Sequence, residues 1–231
     1  MRYKDDRQVF YETDFFLTNG EPMPLLTFSD WDELTGIRHC FTTREGGVSE
    51  GYLSSLSFRK NDVDTAENLY ENFRRIAEYF DTTPDNIVAA HQTHTKNVRC
   101  VTAKDAGKGV IKERDYSDID ALITDVPGIV LFTSHADCVP VYFYDPVKRV
   151  IALAHSGWRG TVNAICGEVI DLMKAEYGCS CADIRTAIGP SICGDCYEVS
   201  EDVAEELKNA YAGGGFEGEI SDCLRDGRAR G

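Results

Sequence analysis

The residues of this chain that carry chemistry gather where short apolar runs stop. In the stretch 129–161, IVLFTSHADCVPVYFYDPVKRVIALAHSGWRGT, His135, Asp137 and Cys138 fall between the first and second runs. His155, Trp158 and Arg159 follow the third, and His94 lies at the end of an earlier strand-like run. His94, Cys138 and His155 form a candidate donor set for a catalytic metal, which keeps three protein ligands and a fourth position for water or substrate. His91, His135 and Asp137 are spare donors. The intervals of 44 and 17 residues are not a local zinc signature, so buried histidines and a structural thiol remain the alternative. Cys138 also fits a nucleophile, with His155 as base and Asp137 or Asp120 as its orienter. Cys193-x-x-Cys196 and Cys179-x-Cys181 invite a redox dithiol or a structural zinc. A Pro-containing turn before the first pair and a distant next helix fit ordinary buried thiols better. Arg44, beside Gly46-Gly47 and Gly51, is either a solvated charge at a turn or an arginine aimed at a ligand phosphate. Trp158 is either core or a platform for a base.

Regular elements must hold these groups. Ile129 to Phe132, Val139 to Tyr144 and Val150 to Ala154 are rich in β-branched and aromatic residues and read as buried strands. Ile87–Ala90, Lys96–Thr102, Asp120–Thr124 and Ile184–Ile188 read as further strands. Val9–Tyr11, Phe15–Leu17 and Met23–Phe28, around Asn19-Gly20, form an N-terminal hairpin. Helical periodicity runs over Thr65–Phe80. A second helix follows Gly160, with Thr161 as its cap, and ends near Gly178; a third runs from a Ser200 cap to about Tyr211. Lys104–Ser117 reads as a surface loop. Strands alternate with helices and no linker interrupts them, so residues 1–212 read as one α+β domain with mixed sheets and 213–231 as a polar tail.

Composition narrows the function. Among 231 residues, 24 Lys+Arg stand against 39 Asp+Glu, a net charge of −15, which disfavours nucleic acid or an anionic membrane as partner. The start, MRYKDDRQVF, lacks the apolar core of a secretory signal, and no run reaches membrane-span length. Nine cysteines, an odd number, without an export signal point to reduced thiols and a cytoplasmic protein.

Several stretches together resemble the YfiH-like family, described variously as polyphenol oxidase (laccase-domain) proteins, purine nucleoside phosphorylases and peptidoglycan editing factors. They are HCFTTREGGVS at 39–49, LSFRKNDVDTAENLYENFRRI, QTH at 92–94, DALIT at 120–124, ADCVPV at 136–141, AHSGWRGT at 154–161 and IGPSICGDCYEV at 188–199. The resemblance implies a single-domain α/β/β/α sandwich of mixed sheets flanked by helices, carrying its metal in a surface pocket. It implies one zinc held by His94, Cys138 and His155, with Arg44 nearby. The activity implied is phosphorolysis of adenosine, inosine, guanosine and methylthioadenosine together with adenosine deamination, so the partners are purine nucleosides and phosphate. Where the family's turn after I-G-P often carries G-P-C-C, this chain has Cys193-Gly194-Asp195-Cys196, leaving Cys193 and Asp195 without a role. The tail ISDCLRDGRARG matches nothing in the pattern and reads as a truncated or divergent C-terminus; a missing strand there would expose a sheet edge.

One thiolate among the ligands leaves a zinc site about one unit of net positive charge, so water there is less acidic than at an all-histidine site, where its pKa is about 7. A helper base is then useful, and Asp137 and His135 are near in sequence. For phosphorolysis, Arg44 and Arg159 are the candidate phosphate donors, with the helix beginning near Thr161. Catalytic roles thus fall to Cys138, Asp137 and Arg44. Two rivals stand beside this reading: a cysteine amidohydrolase acting on cell-wall precursor peptides, and a non-catalytic zinc or thiol protein. Copper oxidation is disfavoured, because five histidines are too few for a blue site plus a three-copper cluster, and no methionine lies close in sequence to the proposed ligands.

Overall fold

The structure, a computed structural model, describes residues 9–31, 33–59 and 64–212. The polar tail, 213–231, lies outside the described residues.

The chain starts with the expected hairpin: β1 (Phe10–Thr13) pairs antiparallel with β2 (Leu25–Phe28), which pairs with β3 (Phe41–Thr42). Gly20, at φ +84°, takes the left-handed turn position that a side chain disfavours. Helix α1 (Ala66–Tyr79) begins where the periodicity predicts, because the Thr65 hydroxyl accepts from the Asn68 N–H at 3.0 Å. Its buried stripe of Phe73, Ile76 and Ala77 packs on Leu17, Met23, Leu25 and Ile87.

Next come β4 (Ile87–Ala89), β5 (Val98–Cys100), β6 (Ala121–Thr124) and β7 (Val130–Phe132). β4 and β7 form a parallel pair of their own. The two longest strands, β8 (Val139–Asp145) and β9 (Val150–Ser156), make an antiparallel hairpin at the centre of the main sheet. Its turn is closed by Asp145, whose Oδ1 accepts from the N–H groups of Val147 and Lys148 at 2.8 and 2.9 Å. The sheet has the order β10-β8-β9-β6-β5, where β10 is Arg185–Ile188.

Alternation sorts its side chains. Ile123, Val141, Phe143, Val150 and Ala152 face one way, onto Ile165, Val169 and Met173 of the long helix. Leu122 faces the other way, onto Val88, Ala90, Val101 and Ile129, while Tyr144 meets Phe28 and Trp31. One helix therefore packs outside each of two face-to-face sheet layers, the mixed α+β arrangement expected.

The helix after β9 differs from the expectation. It is two helices, α2 (Trp158–Val162) and α3 (Ile165–Tyr177), broken where Ala164 turns left-handed at φ +57°. Thr161 is not a cap; it lies inside α2, and its hydroxyl bonds back to the Gly157 carbonyl at 3.0 Å. Gly157 is the N-cap, so the helix starts directly beside His155. The last helix, α4 (Glu201–Tyr211), starts after Ser200 as expected, though that side chain makes no bond to the helix backbone. No described helix is long and apolar enough to cross a membrane.

Candidate metal centre

His94, Cys138 and His155 come together. One ligand atom from each lies within 4.8 Å of the other two, the only such group of His, Cys, Asp or Glu among the described residues. Each arrives on a different element: His155 on β9, Cys138 immediately before β8, and His94 in the connection between β4 and β5. The β8–β9 register accounts for two of them, since Val139 pairs with Ser156 and Pro140 with His155. Cys138 and His155 therefore sit at the same end of one hairpin despite 17 residues of separation.

Asp120 brings in the third. Fully buried at the entry to β6, its carboxylate accepts from the N–H groups of Thr93, His94 and Thr95 at 3.2, 3.1 and 2.7 Å, and from the Thr95 hydroxyl at 2.8 Å. Three successive amides converge on one anion because His94 adopts φ +66°, a conformation uncommon for a side-chain-bearing residue. The same carboxylate meets His155 Nδ1 at 2.8 Å. That contact occupies Nδ1 and leaves Nε2 as the ring's remaining donor atom, the carboxylate–histidine arrangement that commonly backs a metal ligand. Burial works to raise the pKa of Asp120, but the hydrogen bond to His155 and those from the Thr95 and Thr93 backbone outweigh it and hold the group at about 2.

Gly157 explains a position that the sequence left unread. A Cβ there would lie 2.8 Å from His94 Cδ2 and 3.2 Å from Cys138 Sγ, so any side chain would wedge into the donor set. Burial first, then the negative charges of Asp137 and Asp120, push the Cys138 thiol above its ordinary value. A thiol flanked by two carboxylates needs a cation to ionise readily. Tetrahedral zinc, with bonds of about 2.0–2.3 Å, holds its donors about 3.3–3.7 Å apart. The three donors fit such an ion after roughly 1 Å of closure.

The remaining candidates separate. His135 lies against His155 in a tilted contact, with ring centroids 5.2 Å apart, but both its nitrogens are engaged: Nε2 with the Thr133 hydroxyl at 2.8 Å and Nδ1 with the Cys138 carbonyl at 3.2 Å. Burial and His155 lower its pKa to about 4, so it is a neutral wall of the site. His91 is used structurally, accepting at Nδ1 from the Asp118 N–H at 3.1 Å. Asp137 is exposed next to Cys138. Arg159 lies on α2 with its guanidinium 4.3 Å over the Trp158 ring, so Trp158 serves as a cation platform. Arg44 holds the glycine-rich loop, donating through Nη2 to the carbonyls of Tyr52 and Ser54 at 2.7 and 3.1 Å. None of its hydrogen bonds reaches the three donors.

Sequence reasoning missed Tyr197. Burial first, then the site's acidic groups, push its phenol above the ordinary value, and its only signal was its place in the IGPSICGDCYEV stretch. Cys193 and Cys196 are not the buried thiols expected. Both are exposed, on the loop between β10 and α4, whereas Cys179 is buried in the main core.

The fold and the donor set define a single-domain, mixed α+β protein that presents a His-Cys-His cluster at the end of a sheet. The chain belongs to the family described as multi-copper polyphenol oxidoreductase laccase, which it matches over residues 38–222. It is 38% identical over 172 residues to a protein named purine nucleoside phosphorylase YlmD from Bacillus subtilis, covering 73% of this chain and 61% of that protein. Over 128 residues it is 37% identical to "Adenosine deaminase RL5" from an unknown prokaryote, covering 55% of this chain and 48% of the relative. Among solved structures it is similar to YlmD from Geobacillus stearothermophilus, with TM-score 0.77 and 30% identity over 88% of this chain and 72% of that one. The hypothetical protein YfiH of Bacillus licheniformis gives TM-score 0.74 and 35% identity, over 80% and 68%. The chain thus spans about three fifths of the first of these curated relatives.

Proposed function

We propose that this chain is a zinc-dependent purine nucleoside phosphorylase that also deaminates adenosine, acting on adenosine, inosine, guanosine and methylthioadenosine. The observation that carries this reading is the convergence of His94, Cys138 and His155 on one point, backed by Asp120. The names of the relatives support the substrate class. Zinc held by His94, Cys138 and His155 would supply Lewis-acid polarisation.

The chain's own residues divide the remaining work. Asp137, exposed beside Cys138, takes and returns the proton that a water or leaving group exchanges. Arg159, stacked on Trp158, binds phosphate, and Arg44, which braces the glycine-rich loop, adds the second cation that the family resemblance implies. His135 walls one side of the donor set and Gly157 keeps it uncrowded. In phosphorolysis a phosphate oxygen displaces the base at ribose C1′, giving adenine and ribose 1-phosphate. In deamination water replaces the amine at purine C6, giving inosine and ammonia.

Metal analysis of purified protein, joined to chromatography of adenosine reactions with and without phosphate, tests the proposal. About one zinc per chain is expected, with adenine appearing only when phosphate is present and inosine in either case. Protein without bound metal that still turns over adenosine would refute the proposal.

One observation favours a second reading. Cys138, His155 and Asp120 also stand in the order of a thiol hydrolase, with Nδ1 held at 2.8 Å, as a cysteine amidohydrolase of cell-wall precursors requires. The raised Cys138 pKa opposes it, because a metal-free nucleophile needs a depressed one. Activity on precursor peptides that survives chelation and is abolished by thiol alkylation would select this reading.

A further inference from the structure

The loop between β10 and α4 carries a pair of thiols that the proposed reaction does not use. Cys193 Sγ lies 3.1 Å from Cys196 Sγ, and both side chains are exposed. A tight turn brings them together: the N–H groups of Cys196 and Tyr197 both donate to the Cys193 carbonyl, at 3.0 and 3.1 Å. Gly194, inside the turn, has open space around it, so the backbone can tighten without a clash. A disulfide needs its sulfurs about 2.05 Å apart, so closure requires roughly 1 Å of movement.

The loop is also attached to the site. Its Ile192 N–H donates to the Asp137 carbonyl at 3.0 Å, and the Gly189 N–H donates to the Pro140 carbonyl at 2.9 Å. These anchors straddle Cys138. Tyr197 follows Cys196 directly and is tied into the same turn through its N–H. Movement within the turn is therefore passed to the backbone that presents the Cys138 sulfur.

We propose that Cys193 and Cys196 form a reversible modification site, closing to an intraloop disulfide by exchange with a small-molecule disulfide and thereby altering access to Cys138. The Cys193 thiolate attacks one sulfur of the small disulfide RSSR, forming a mixed disulfide and releasing RS⁻, which takes up a proton. The Cys196 thiolate then attacks the Cys193 sulfur and expels the second RS⁻. Two protein thiols are oxidised, one RSSR is reduced to two RSH, and two RSH reverse the change. Cys193 is suited to attack first. The hydrogen bond shared with Cys196, followed by the Cys196 and Asp195 amides, holds its thiol below the ordinary value. By contrast, burial pushes Cys40 up to about 12, and burial with the Asp145 carboxylate does the same to Cys179.

This proposal takes from the preceding section only that Cys138 belongs to the working site, and its test needs no metal. The full chain is equilibrated with mixtures of oxidised and reduced glutathione in the presence of a chelator, then acid-quenched and alkylated in denaturant. The peptide containing residues 193–196 is weighed. It is expected to escape alkylation and weigh two hydrogens less than the free dithiol before Cys40 or Cys179 is oxidised, and to become doubly alkylated again after reduced glutathione. Persistent alkylation of both thiols, or arrest at a glutathione adduct, would overturn the proposal. In a second measurement, the alkylation rate of native Cys138 is compared between the two loop states and in Cys193→Ser/Cys196→Ser. A change of about threefold or more with loop state, absent in the double variant, is expected. Equal rates would overturn the link to the site, whereas failure to bind zinc would leave both readouts unchanged and count only against the proposed function.

Discussion

Asp120 and Asp105 are both buried carboxylates that gather four or more donors, yet their surroundings divide their roles. Asp105 is neutralised by cations: Arg99 Nη2 at 2.7 Å and Lys108 Nζ at 2.8 Å reach one oxygen, while the Thr102 N–H and hydroxyl reach the other. Asp120 receives three backbone amides, one hydroxyl and an imidazole and, among the described residues, no lysine or arginine. Dipoles stabilise a charge without cancelling it. The negative charge of Asp120 therefore remains available to attract a cation at the donors it orients, whereas that of Asp105 is spent within its own turn. A carboxylate held by dipoles prepares a site, and one held by cations fastens a fold.

The difference is exposed most strongly by removing the dipole-held member. Asp120→Ala leaves several buried donors unpaired and is expected to cost on the order of 3–5 kcal/mol, read as a drop in Tm. The isosteric Asp120→Asn should keep more of the fold while lowering zinc affinity about 10–100-fold, measured by competition with a chromogenic chelator. Zinc affinity equal to that of the parent would remove Asp120 from the site. Gly157→Ala comes next. Overpacking typically costs about 1–3 kcal/mol, and here the strain falls on His94 and Cys138, so zinc affinity should fall with little change in the far sheet.

Asp105→Asn should cost about 2 kcal/mol and leave zinc affinity untouched. It also has a pH signature. Burial tends to raise the Asp105 pKa, but Lys108, Arg99 and Thr102 hold it far below the ordinary carboxylate value. Its folded pKa is thus lower than its unfolded one. The stability it adds is complete above about pH 4 and is lost as the pH falls below that. Acid titrations of Tm should be shallower for Asp105→Asn than for the parent, and parallel curves would contradict the assignment. The smallest effect belongs to Arg159→Ala. An exposed side chain on a short helix should change stability by no more than about 0.5 kcal/mol, so Tm should hold while KM for phosphate rises. A KM unchanged by the substitution would move phosphate binding elsewhere.

Much of the architecture was legible. The apolar runs that became β7, β8 and β9 are dense in β-branched and aromatic residues, and the three- or four-residue apolar spacing marked α1, whose Thr65 cap the structure added. The split between α2 and α3 was not legible, because Thr161 looks like a cap in isolation and only the left-handed Ala164 shows where the axis breaks. Short-range patterns report local backbone preference, and a break imposed by packing leaves no periodic trace. The Cys193–Cys196 pair was misjudged for a related reason: cysteine is commonly buried, and the exposure of a loop depends on what lies beneath it.

The sequence by itself determined which groups are available, where strands end in histidine or cysteine, and the resemblance that nominated His94, Cys138 and His155. It also placed Asp120 among the candidates to orient His155. Only the tertiary structure decided that a hairpin register sets Cys138 beside His155, that one buried carboxylate folds the turn bearing His94 toward them, and that Gly157 must stay bare. Residue identity limits what a side chain can donate, but the distance between donors 44 residues apart is set by strand pairing and burial, which are properties of the whole packed chain.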